Sequence, residues 1–452
     1  MMNLEQFENF YFIGIGGIGM SALARYFKSI GKNVLGYDRT ETKLTSALIS
    51  EGIGISFQDE ITEHISSLKP ENTLVIYTPA VKTLGILDDF QQRNFTILKR
   101  AKVLGMITDE TKCIAVAGTH GKTTTSSLVA HLCHFSGLSF SCFLGGISEN
   151  FQSNFIYTGN EFSVVEADEY DRSFLNLHPD FAIVTSTDAD HLDIYGDKAT
   201  IEQSFKDFAG LVPEKQKLFV RKGLEIGRES MTYAVNEEAD FYSDNLRMED
   251  DFILFDFHTK YETVKDFKWQ TPGIHNVENA TAAIALLYSL GVDFQTLKSG
   301  LLAFKGIKRR YTKHRFESGK IYIDDYAHHP TELDAVIGSI RNFYPEKKLL
   351  VAFQPHLFSR TRDFAEGFAK SLENCEELLL LDIYPARELQ ENFPGITSDW
   401  LLEKINLEKK ETAGLQEAFG KIQQKDFDIL LTVGAGNIDM LYDGIVEWLG
   451  KN

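Results

Sequence analysis

A short loop between two predicted elements has the composition of a phosphate-binding site. It consists of Gly118, Thr119, His120 and Gly121, and it is followed by Lys122, Thr123 and Thr124. Backbone N–H groups at a helix N-terminus bind polyphosphates, a lysine neutralises their charge, and a threonine hydroxyl reaches Mg²⁺. The two glycines are closer together than in the common phosphate-binding loop. Because the loop stands between an apolar run and a helical pattern, we predict a polyphosphate site rather than a solvent-exposed turn.

Acidic residues follow two further apolar runs. The run at residues 163–165 leads into Glu166, the first of three acids within four residues. Carboxylates this close repel one another unless a cation compensates them, and a divalent metal beside a phosphate loop would do so. The run at residues 181–185 leads to His191, which has aspartates on both sides. A lone histidine is more often a structural polar residue, but this position at a strand end favours contact with a metal.

A glycine-rich loop near the N-terminus has the spacing of a dinucleotide-binding fingerprint. Its glycines are Gly14, Gly16, Gly17 and Gly19, and Asp38 follows the next apolar run. Glycine allows a tight turn and lets a diphosphate approach the backbone at the start of a helix. The motif therefore indicates a nucleotide diphosphate, which NAD and UDP both contain. Close packing of a strand against a helix is the structural alternative.

Four more groups of polar residues begin a predicted helix or follow a predicted strand. They are His275, Asn276 and Asn279; Lys308, Arg309 and Arg310; Asp324, Asp325, Tyr326, His328 and His329; and His356, Arg360 and Arg362. Open α/β sheets bind ligands at the carboxyl ends of their strands, so the last two groups are candidate binding residues. Each group also has a structural interpretation, as helix caps or as exposed charge.

Short apolar runs alternate with helical patterns along the chain. This pattern predicts an α/β fold whose parallel sheets are covered on both faces. The length of 452 residues suggests two to three domains, with breaks near residues 104–108 and 311–316. Residues 218–269 are richer in alternating and aromatic residues, as in an antiparallel insertion.

The composition excludes several classes of protein. The formal net charge is −19 and no basic stretch exceeds residues 308–310, so no binding of duplex nucleic acid is expected. No apolar run is long enough to cross a membrane, and the four cysteines lack metal-binding or disulfide spacing. We therefore expect a cytoplasmic protein without membrane insertion. Because the overall charge repels anions, local N–H groups, cations and metal ions must hold any phosphates.

The order of these motifs resembles that of the Mur ligase family over nearly the whole chain. In sequence letters the motifs run GIGGIG, GTHGKTT, EADE, DADH, HNVEN, GIKRR, DDYAHHP and FQPH. The resemblance implies an α/β protein of three domains. These are a Rossmann-like domain for a UDP-sugar at residues 1–107, a central P-loop ATPase-type domain with a parallel sheet at 108–313, and a C-terminal Rossmann-like domain for an amino acid at 314–452.

The resemblance also implies roles for single residues. ATP would contact Gly118, Thr119, His120, Gly121, Lys122, Thr123, Thr124, His275, Asn276, Asn279, Arg310 and Asp325. Mg²⁺ would bind Thr123, Glu166 and His191. The UDP-sugar and the amino acid would contact Gly14, Gly16, Gly17, Gly19, Asp38, Tyr326, His328, His356 and Arg360. Lys122, His328, His356 and Arg360 would be catalytic, with His328 or His356 as the base.

One position departs from the family pattern, because Leu357 stands where the family usually has arginine after the histidine of FQPH. Either Arg360 or another cation, such as Arg362 or Arg387, then meets the carboxylate of the amino acid alone, or this pocket is organised differently.

The motifs look most like those of the members that join L-alanine to UDP-N-acetylmuramic acid in peptidoglycan synthesis, with ATP, Mg²⁺ and an acyl-phosphate intermediate. Members that attach an intact tripeptide to the same nucleotide sugar come second, and residues 169–171 are a small point in their favour. From the residues alone, an NAD-dependent dehydrogenase and a nucleotide-gated sensor without ligation remain alternatives. The dehydrogenase leaves the second phosphate loop unexplained. A monomer or homodimer is expected.

Overall fold

The structure is a computed structural model, and it describes residues 3–78, 81, 84–188, 197–249, 252–386 and 388–451. The chain divides into two compact units. The first comprises Met1–Arg247, Leu254–Trp269 and Ile274–Lys305, and the second comprises Met248–Ile253, Gln270–Gly273 and Gly306–Asn452. Each unit is an α/β structure built on parallel-rich sheets, which confirms the predicted fold class.

The first unit begins with a parallel sheet. Its elements are β1 (Asn9–Ile13), α1 (Ile18–Ser29), β2 (Asn33–Tyr37), α2 (Lys43–Ser50), β3 (Gly54–Ser56), α3 (Glu63–Ser67), β4 (Thr73–Tyr77), α4 (Gly85–Gln92), β5 (Thr96–Lys99) and α5 (Arg100–Thr108). The strand order is β3-β2-β1-β4-β5, and all the pairs are parallel. Because parallel strands are covered on both faces, the strands next to the sheet centre are almost wholly apolar and buried.

A larger sheet follows in the same unit. Its elements are β6 (Lys112–Ala117), α6 (Lys122–Phe135), β7 (Phe140–Ser148), β8 (Ser153–Tyr157), β9 (Phe162–Ala167), β10 (Phe181–Val184), α7 (Lys198–Leu211), β11 (Leu218–Arg221), β12 (Met231–Val235), β13 (Phe241–Glu249), β14 (Phe252–Thr259), β15 (Thr263–Trp269), α8 (Ile274–Ser289) and α9 (Phe294–Ala303). The strand order is β15-β14-β13-β12-β11-β10-β6-β9-β7-β8. The carboxyl ends of β9, β6 and β10 therefore lie side by side.

The predicted antiparallel insertion at residues 218–269 is wrong for its first strands. β11 pairs with β12 and β12 pairs with β13 in parallel, and these strands continue the larger sheet. Alternating residues predict a strand with one buried face, but they do not give the direction of its neighbour.

The second unit contains a further sheet. Its elements are β16 (Thr312–Arg315), β17 (Ile321–Asp325), α10 (Pro330–Phe343), β18 (Leu349–Phe353), α11 (Phe358–Asp363), α12 (Ala365–Leu372), β19 (Glu377–Leu381), α13 (Ser398–Lys404), β20 (Lys410–Ala413), α14 (Leu415–Gln423), β21 (Ile429–Val433) and α15 (Tyr442–Lys451). The strand order is β16-β17-β21-β18-β19-β20, with β16 antiparallel to β17. Apolar clusters cover both faces of this sheet. Within the part of the chain that the structure describes, no helix has the length and apolarity to span a bilayer.

Candidate active site

The predicted phosphate loop joins β6 to α6, and two of its glycines are required by the geometry. Gly118 has a φ of 142°, and a Cβ atom at this position would lie 2.1 Å from Thr185 Oγ1. Gly121 has a φ of 83°, and a Cβ atom there would lie 2.7 Å from Asn279 Oδ1. An L-residue with a side chain rarely adopts these backbone angles, and it would also clash with its neighbours. A side chain at either position would therefore strain the loop.

Residues after β10 hold the loop from the side. Thr119 N donates to the carbonyl oxygen of Ser186 at 3.3 Å, and His120 N donates to Ser186 Oγ at 2.7 Å. Thr185 Oγ1 donates to the carbonyl oxygen of Ala117 at 3.1 Å. Thr185 and Ser186 were not predicted as supports of the loop. The signal available was that two hydroxyl residues stand at the end of an apolar run.

The N-terminus of α6 faces this loop. The helix begins at Lys122, and its cap residue Gly121 provides no side-chain hydrogen bond to the first turn. Thr123 and Thr124 lie in this turn and are half-buried. The first N–H groups of a helix have no intrahelical acceptor, and the helix dipole favours an anion beside them. The geometry therefore fits the predicted binding of phosphate.

Lys122 makes an ion pair that the sequence did not predict. Its Nζ donates to the carbonyl oxygen of Gly118 at 2.6 Å and lies 2.7 Å from Oε2 of the buried Glu169. Burial by itself would lower the pKa of Lys122, but the negative charges of Glu169, Glu166 and Asp168 outweigh it and raise this pKa. Lys122 is therefore a cation beside the loop at neutral pH.

The candidate metal ligands Thr123 and Glu166 are in contact. Thr123 Oγ1 donates to Glu166 Oε1 at 3.1 Å, and Gly145 N donates to Glu166 Oε2 at 3.0 Å. Burial raises the pKa of Glu166, although the positive charge of Lys122 opposes this effect. Hydroxyl and carboxylate oxygens are the ligands that Mg²⁺ prefers, and a desolvated carboxylate gains from a nearby cation. These two residues therefore fit the predicted metal.

His191 lies outside the described residues. Among the residues that are described, no group of three or more His, Cys, Asp or Glu side chains is arranged to hold a metal ion. A site at Thr123 and Glu166 would thus take its remaining ligands from a nucleotide, from water or from the residues not described.

The start of α8 lies next to the phosphate loop. Asn279 is buried against Gly121, and its Nδ2 atom donates to Asn276 Oδ1 at 3.4 Å. His275 is exposed in the same turn of the helix. The structure thus brings Asn279 to the phosphate loop, and Asn276 contacts it from three residues earlier on the same helix face.

The N-terminal glycine loop leads from β1 into α1. Gly14 has a φ of 83° and Gly17 is the N-cap of α1. Gly16 N donates to Asp38 Oδ2 at 2.8 Å, so Asp38 supports the loop directly. A Cβ atom on Gly19 would lie 2.5 Å from Nη1 of Arg100, a residue that the sequence analysis did not single out.

In the second unit, Asp325 shapes the backbone beside Arg310. Its Oδ2 atom accepts from Tyr311 N at 2.7 Å and its Oδ1 atom accepts from Ala327 N at 2.8 Å. Burial raises the pKa of Asp325 and Arg310 opposes this effect. The guanidinium of Arg310 also lies 5.4 Å from the centre of the Tyr326 ring. Asp325 is not the helix cap of its structural interpretation, because His329 is the N-cap of α10. Its contact with ATP stays a prediction.

Three predicted amino-acid-binding residues lie together at the carboxyl ends of β17 and β18. The rings of His328 and His356 are 6.1 Å apart between centroids, and Arg360 Nη1 lies 3.4 Å from His356 Nδ1. His328 Nδ1 contacts the carbonyl oxygen of Tyr326 at 3.0 Å. Because a carbonyl oxygen only accepts, Nδ1 carries the proton and Nε2 is the basic nitrogen of the neutral ring.

Electrostatics favour the neutral form of His328. Burial lowers its pKa, and the positive charges of Arg360 and Arg310 act in the same direction, while Glu332 opposes them. An imidazole with a lowered pKa is unprotonated at neutral pH and can accept a proton.

Leu357 occupies an unusual backbone conformation at the position where the sequence departs from the family pattern. Its φ is 69° and its side chain is buried. Leu357 N donates to the carbonyl oxygen of Tyr384 at 2.9 Å, and its own carbonyl oxygen accepts from Thr361 N at 3.1 Å. Such backbone strain persists only where the surroundings fix it. Here it turns the chain between His356 and Arg360. Arg387, an alternative cation, lies outside the described residues.

Comparison with known protein families agrees with three α/β sheets, one of which carries the phosphate loop. The model of the Mur ligase family catalytic domain matches residues 9–112, that of the Mur ligase middle domain matches 116–287, and that of the Mur ligase glutamate ligase domain matches 309–436. The chain belongs to the Mur ligase family, and it is therefore a ligase.

Individual relatives indicate which members of the family this chain is most similar to in sequence. The chain is 51% identical over 451 residues to the UDP-N-acetylmuramate–L-alanine ligase of Flavobacterium psychrophilum, with all of both chains covered. It is 43% identical to the protein of the same name from Cytophaga hutchinsonii, covering 97% of this chain and 96% of that one. The crystal structure of UDP-N-acetylmuramate-alanine ligase MurC from Thermotoga maritima matches with a TM-score of 0.83 and 27% identity, covering 97% of this chain and 98% of that one.

Proposed function

We propose that the protein is an ATP-dependent ligase that joins L-alanine to the carboxylate of UDP-N-acetylmuramic acid, releasing ADP and phosphate. The proposal rests on one observation above others: the GTHGKTT loop carries Lys122 and Thr123 beside Glu166 at a helix N-terminus. The names of its relatives supply the two substrates. The reaction provides a precursor for peptidoglycan synthesis.

The first step must activate a carboxylate, because a carboxylate does not react with an amine at neutral pH. In the proposed step a carboxylate oxygen attacks the γ-phosphorus of ATP, an acyl phosphate forms and ADP leaves. The two substrates are both anions, and a pair of unit charges ~4 Å apart in an effective dielectric of ~20 repel by about 4 kcal/mol. Lys122 and the N–H groups at the start of α6 offset this repulsion at the triphosphate. Bound Mg²⁺, held by Thr123 and Glu166, would supply further positive charge to the phosphates.

In the second step the neutral amine of alanine attacks the acyl carbon, and phosphate leaves the tetrahedral intermediate. The amine must lose a proton, and we assign its base to His328, whose Nε2 is unprotonated when the ring is neutral. Arg360, next to His356, binds the carboxylate of the amino acid. We assign Asn279, which lies against Gly121, and its partner Asn276 to the contacts with ATP.

We propose the cytoplasm as the place of this reaction, since ATP is the co-substrate and all four cysteines are free and buried. The oligomeric state, a monomer or homodimer, and the three domain boundaries stay predictions.

Phosphate release measured against a panel of second substrates tests the proposal. With ATP, Mg²⁺ and UDP-N-acetylmuramic acid present, we expect release only when L-alanine is added. Release with the tripeptide instead would assign the protein to the tripeptide-attaching ligases. Release without any amino acid would contradict the proposed step in which the amine displaces phosphate.

A further inference from the structure

Arg100 places a guanidinium group on the N-terminal glycine loop. Its Nη1 atom occupies the space that a side chain on Gly19 would take, 2.5 Å from the ideal Cβ position, and Cζ lies 3.2 Å from the same point. Gly19 is in the first turn of α1. The absence of a side chain at residue 19 therefore lets the Arg100 guanidinium approach the start of this helix.

A carboxylate that follows a strand of the larger sheet holds Arg100 in this position. Arg100 Nη2 donates to Asp168 Oδ2 at 3.3 Å, and the Arg100 side chain is only 20% exposed. Asp168 follows β9 directly, two residues after Glu166. A guanidinium has five N–H donors in a fixed plane, and the bond to Asp168 uses one of them. The other donors of the group can bind an anion while Asp168 holds it by this bond.

The charge near the loop explains why a diphosphate needs such a cation. Asp38 accepts a hydrogen bond from Gly16 N and contributes a negative charge at the loop. The chain as a whole carries a formal charge of −19. Without a cation, backbone N–H groups alone would have to hold two phosphates against the charge of Asp38 and the net charge of the chain. A guanidinium forms bidentate, charge-assisted hydrogen bonds to phosphate oxygens.

We propose that Arg100 binds the diphosphate of the nucleotide sugar at the glycine loop, and that Asp168 is its positioning residue. This inference rests on the proposed function, which supplies the nucleotide sugar. It adds a cation outside the glycine motif and makes Gly19 the residue whose small size admits that cation.

Binding of UDP and of uridine to the full chain, measured by titration calorimetry in the presence of a chelator, tests the proposal. Uridine lacks the diphosphate, so the comparison isolates the contact with phosphate. For Arg100→Gln we expect the Kd of UDP to rise about tenfold or more, the effect of losing a charge-assisted hydrogen bond. The Kd of uridine should change less than twofold.

Two further variants make the test specific. Lys99→Gln removes the same charge from the neighbouring residue, which is 50% exposed and pairs with Asp171, and it should leave both affinities unchanged. Gly19→Ala keeps Arg100 but displaces its guanidinium, so it should weaken UDP binding in the same way as Arg100→Gln. If Arg100→Gln fails to fold, Gly19→Ala still tests the same contact. We expect this variant to fold, because alanine is favoured within a helix.

The outcomes separate this inference from the proposed function. If the wild-type protein binds UDP and Arg100→Gln binds it equally well, the role of Arg100 is wrong and the proposed function stands. An equal loss of UDP and uridine affinity would also overturn the role, because it would indicate a distorted loop. If the wild-type protein does not bind UDP, the role of Arg100 and the proposed function are both wrong.

Discussion

Lys122 connects the chemistry of the site with its stability. In the described structure it contacts Glu169, a buried carboxylate, and the carbonyl oxygen of Gly118. A buried carboxylate is costly without a cation near it, so Lys122 compensates a negative charge even when no nucleotide is bound. A triphosphate at the loop would offer the same cation a second anionic partner.

We expect Lys122→Ala to lower kcat for phosphate release by about 10²- to 10³-fold, because a cation that stabilises the transferring phosphate is lost. Binding of UDP should persist. The matched control is Lys112→Ala, which removes a lysine that is 57% exposed and pairs with Glu161.

The double variant Lys122→Ala/Glu169→Gln separates loss of catalysis from loss of folding, because it also removes the buried charge. If the double variant folds and releases phosphate at the wild-type rate, the assigned role of Lys122 is wrong.

The Glu166 carboxylate allows a test of the metal site. Glu166→Gln keeps the size of the side chain but removes the charge, and we expect the Mg²⁺ concentration for half-maximal activity to rise about 10-fold or more. Binding of Mn²⁺ followed by electron paramagnetic resonance should weaken in parallel. Glu161→Gln, a change at an exposed acid, serves as the control. An unchanged metal dependence would remove Glu166 from the metal site.

The lowered pKa of His328 predicts a pH dependence. A base acts when it is unprotonated, so kcat/KM for L-alanine should rise with pH through a pKa that lies below the ordinary value of 6.5. His328→Asn should lower kcat by about 10²-fold and abolish this limb of the pH profile. A variant that is slower but keeps the same limb would show that another group, such as His356, is the titrating base.

At the residue scale, the sequence shows the types and spacing of the functional residues, but it does not show which residues they contact. Lys122, Thr123 and Glu166 were predicted because a phosphate loop and an acidic strand end have recognisable compositions. The pairing of Lys122 with Glu169 and the support of the loop by Ser186 depend on strands that are distant in sequence. Only the folded order of β9, β6 and β10 brings these residues together.

At the scale of elements, the turn from β6 into α6 depends on Gly118. For Gly118→Ala we expect the free energy of unfolding to fall by about 1–3 kcal/mol from backbone strain, with a further loss from the contact with Thr185. Affinity for ATP should fall as well.

Gly137→Ala is the matched control for this change. Gly137 has a φ of 72° near the end of α6, but a Cβ atom there would have no neighbour within 4 Å. Thermal unfolding of both variants separates the cost of the backbone angle from the cost of the clash. Equal losses would contradict the steric part of the prediction, and normal ATP binding by Gly118→Ala would contradict its functional part.

The elements themselves were largely predictable, because apolar runs bounded by turn residues indicate buried parallel strands. The exception is the segment from β11 to β13, whose alternation suggested antiparallel pairing. Alternation reports only which side of a strand is buried. The direction of pairing is set by the long-range order of the sheet, which local patterns do not contain.

At the scale of the whole molecule, the order of motifs predicted the family before any contact was known. The first two predicted domains lie within one compact unit, and the domain boundaries stay predictions. Buried contacts join these two domains: Asn154 on β8 donates to the carbonyl oxygen of Ile18 at 2.6 Å and to Ser21 Oγ at 2.9 Å. Such contacts between distant segments have no signature in the local sequence.

The net charge of −19 also acts on the whole molecule. It repels ATP and UDP-N-acetylmuramic acid alike, so affinity must arise from short-range donors at the two loops. In the proposed reaction these donors hold a triphosphate and a carboxylate close enough for phosphoryl transfer.

The central claim is that the carboxylate of the nucleotide sugar takes the γ-phosphoryl group of ATP. An isotope experiment tests it directly. UDP-N-acetylmuramic acid labelled with ¹⁸O in its carboxylate is incubated with ATP, Mg²⁺, L-alanine and the protein, and the released phosphate is analysed by mass spectrometry. Transfer through an acyl phosphate predicts one ¹⁸O atom in each phosphate released. Unlabelled phosphate, with amide product formed, would contradict the account.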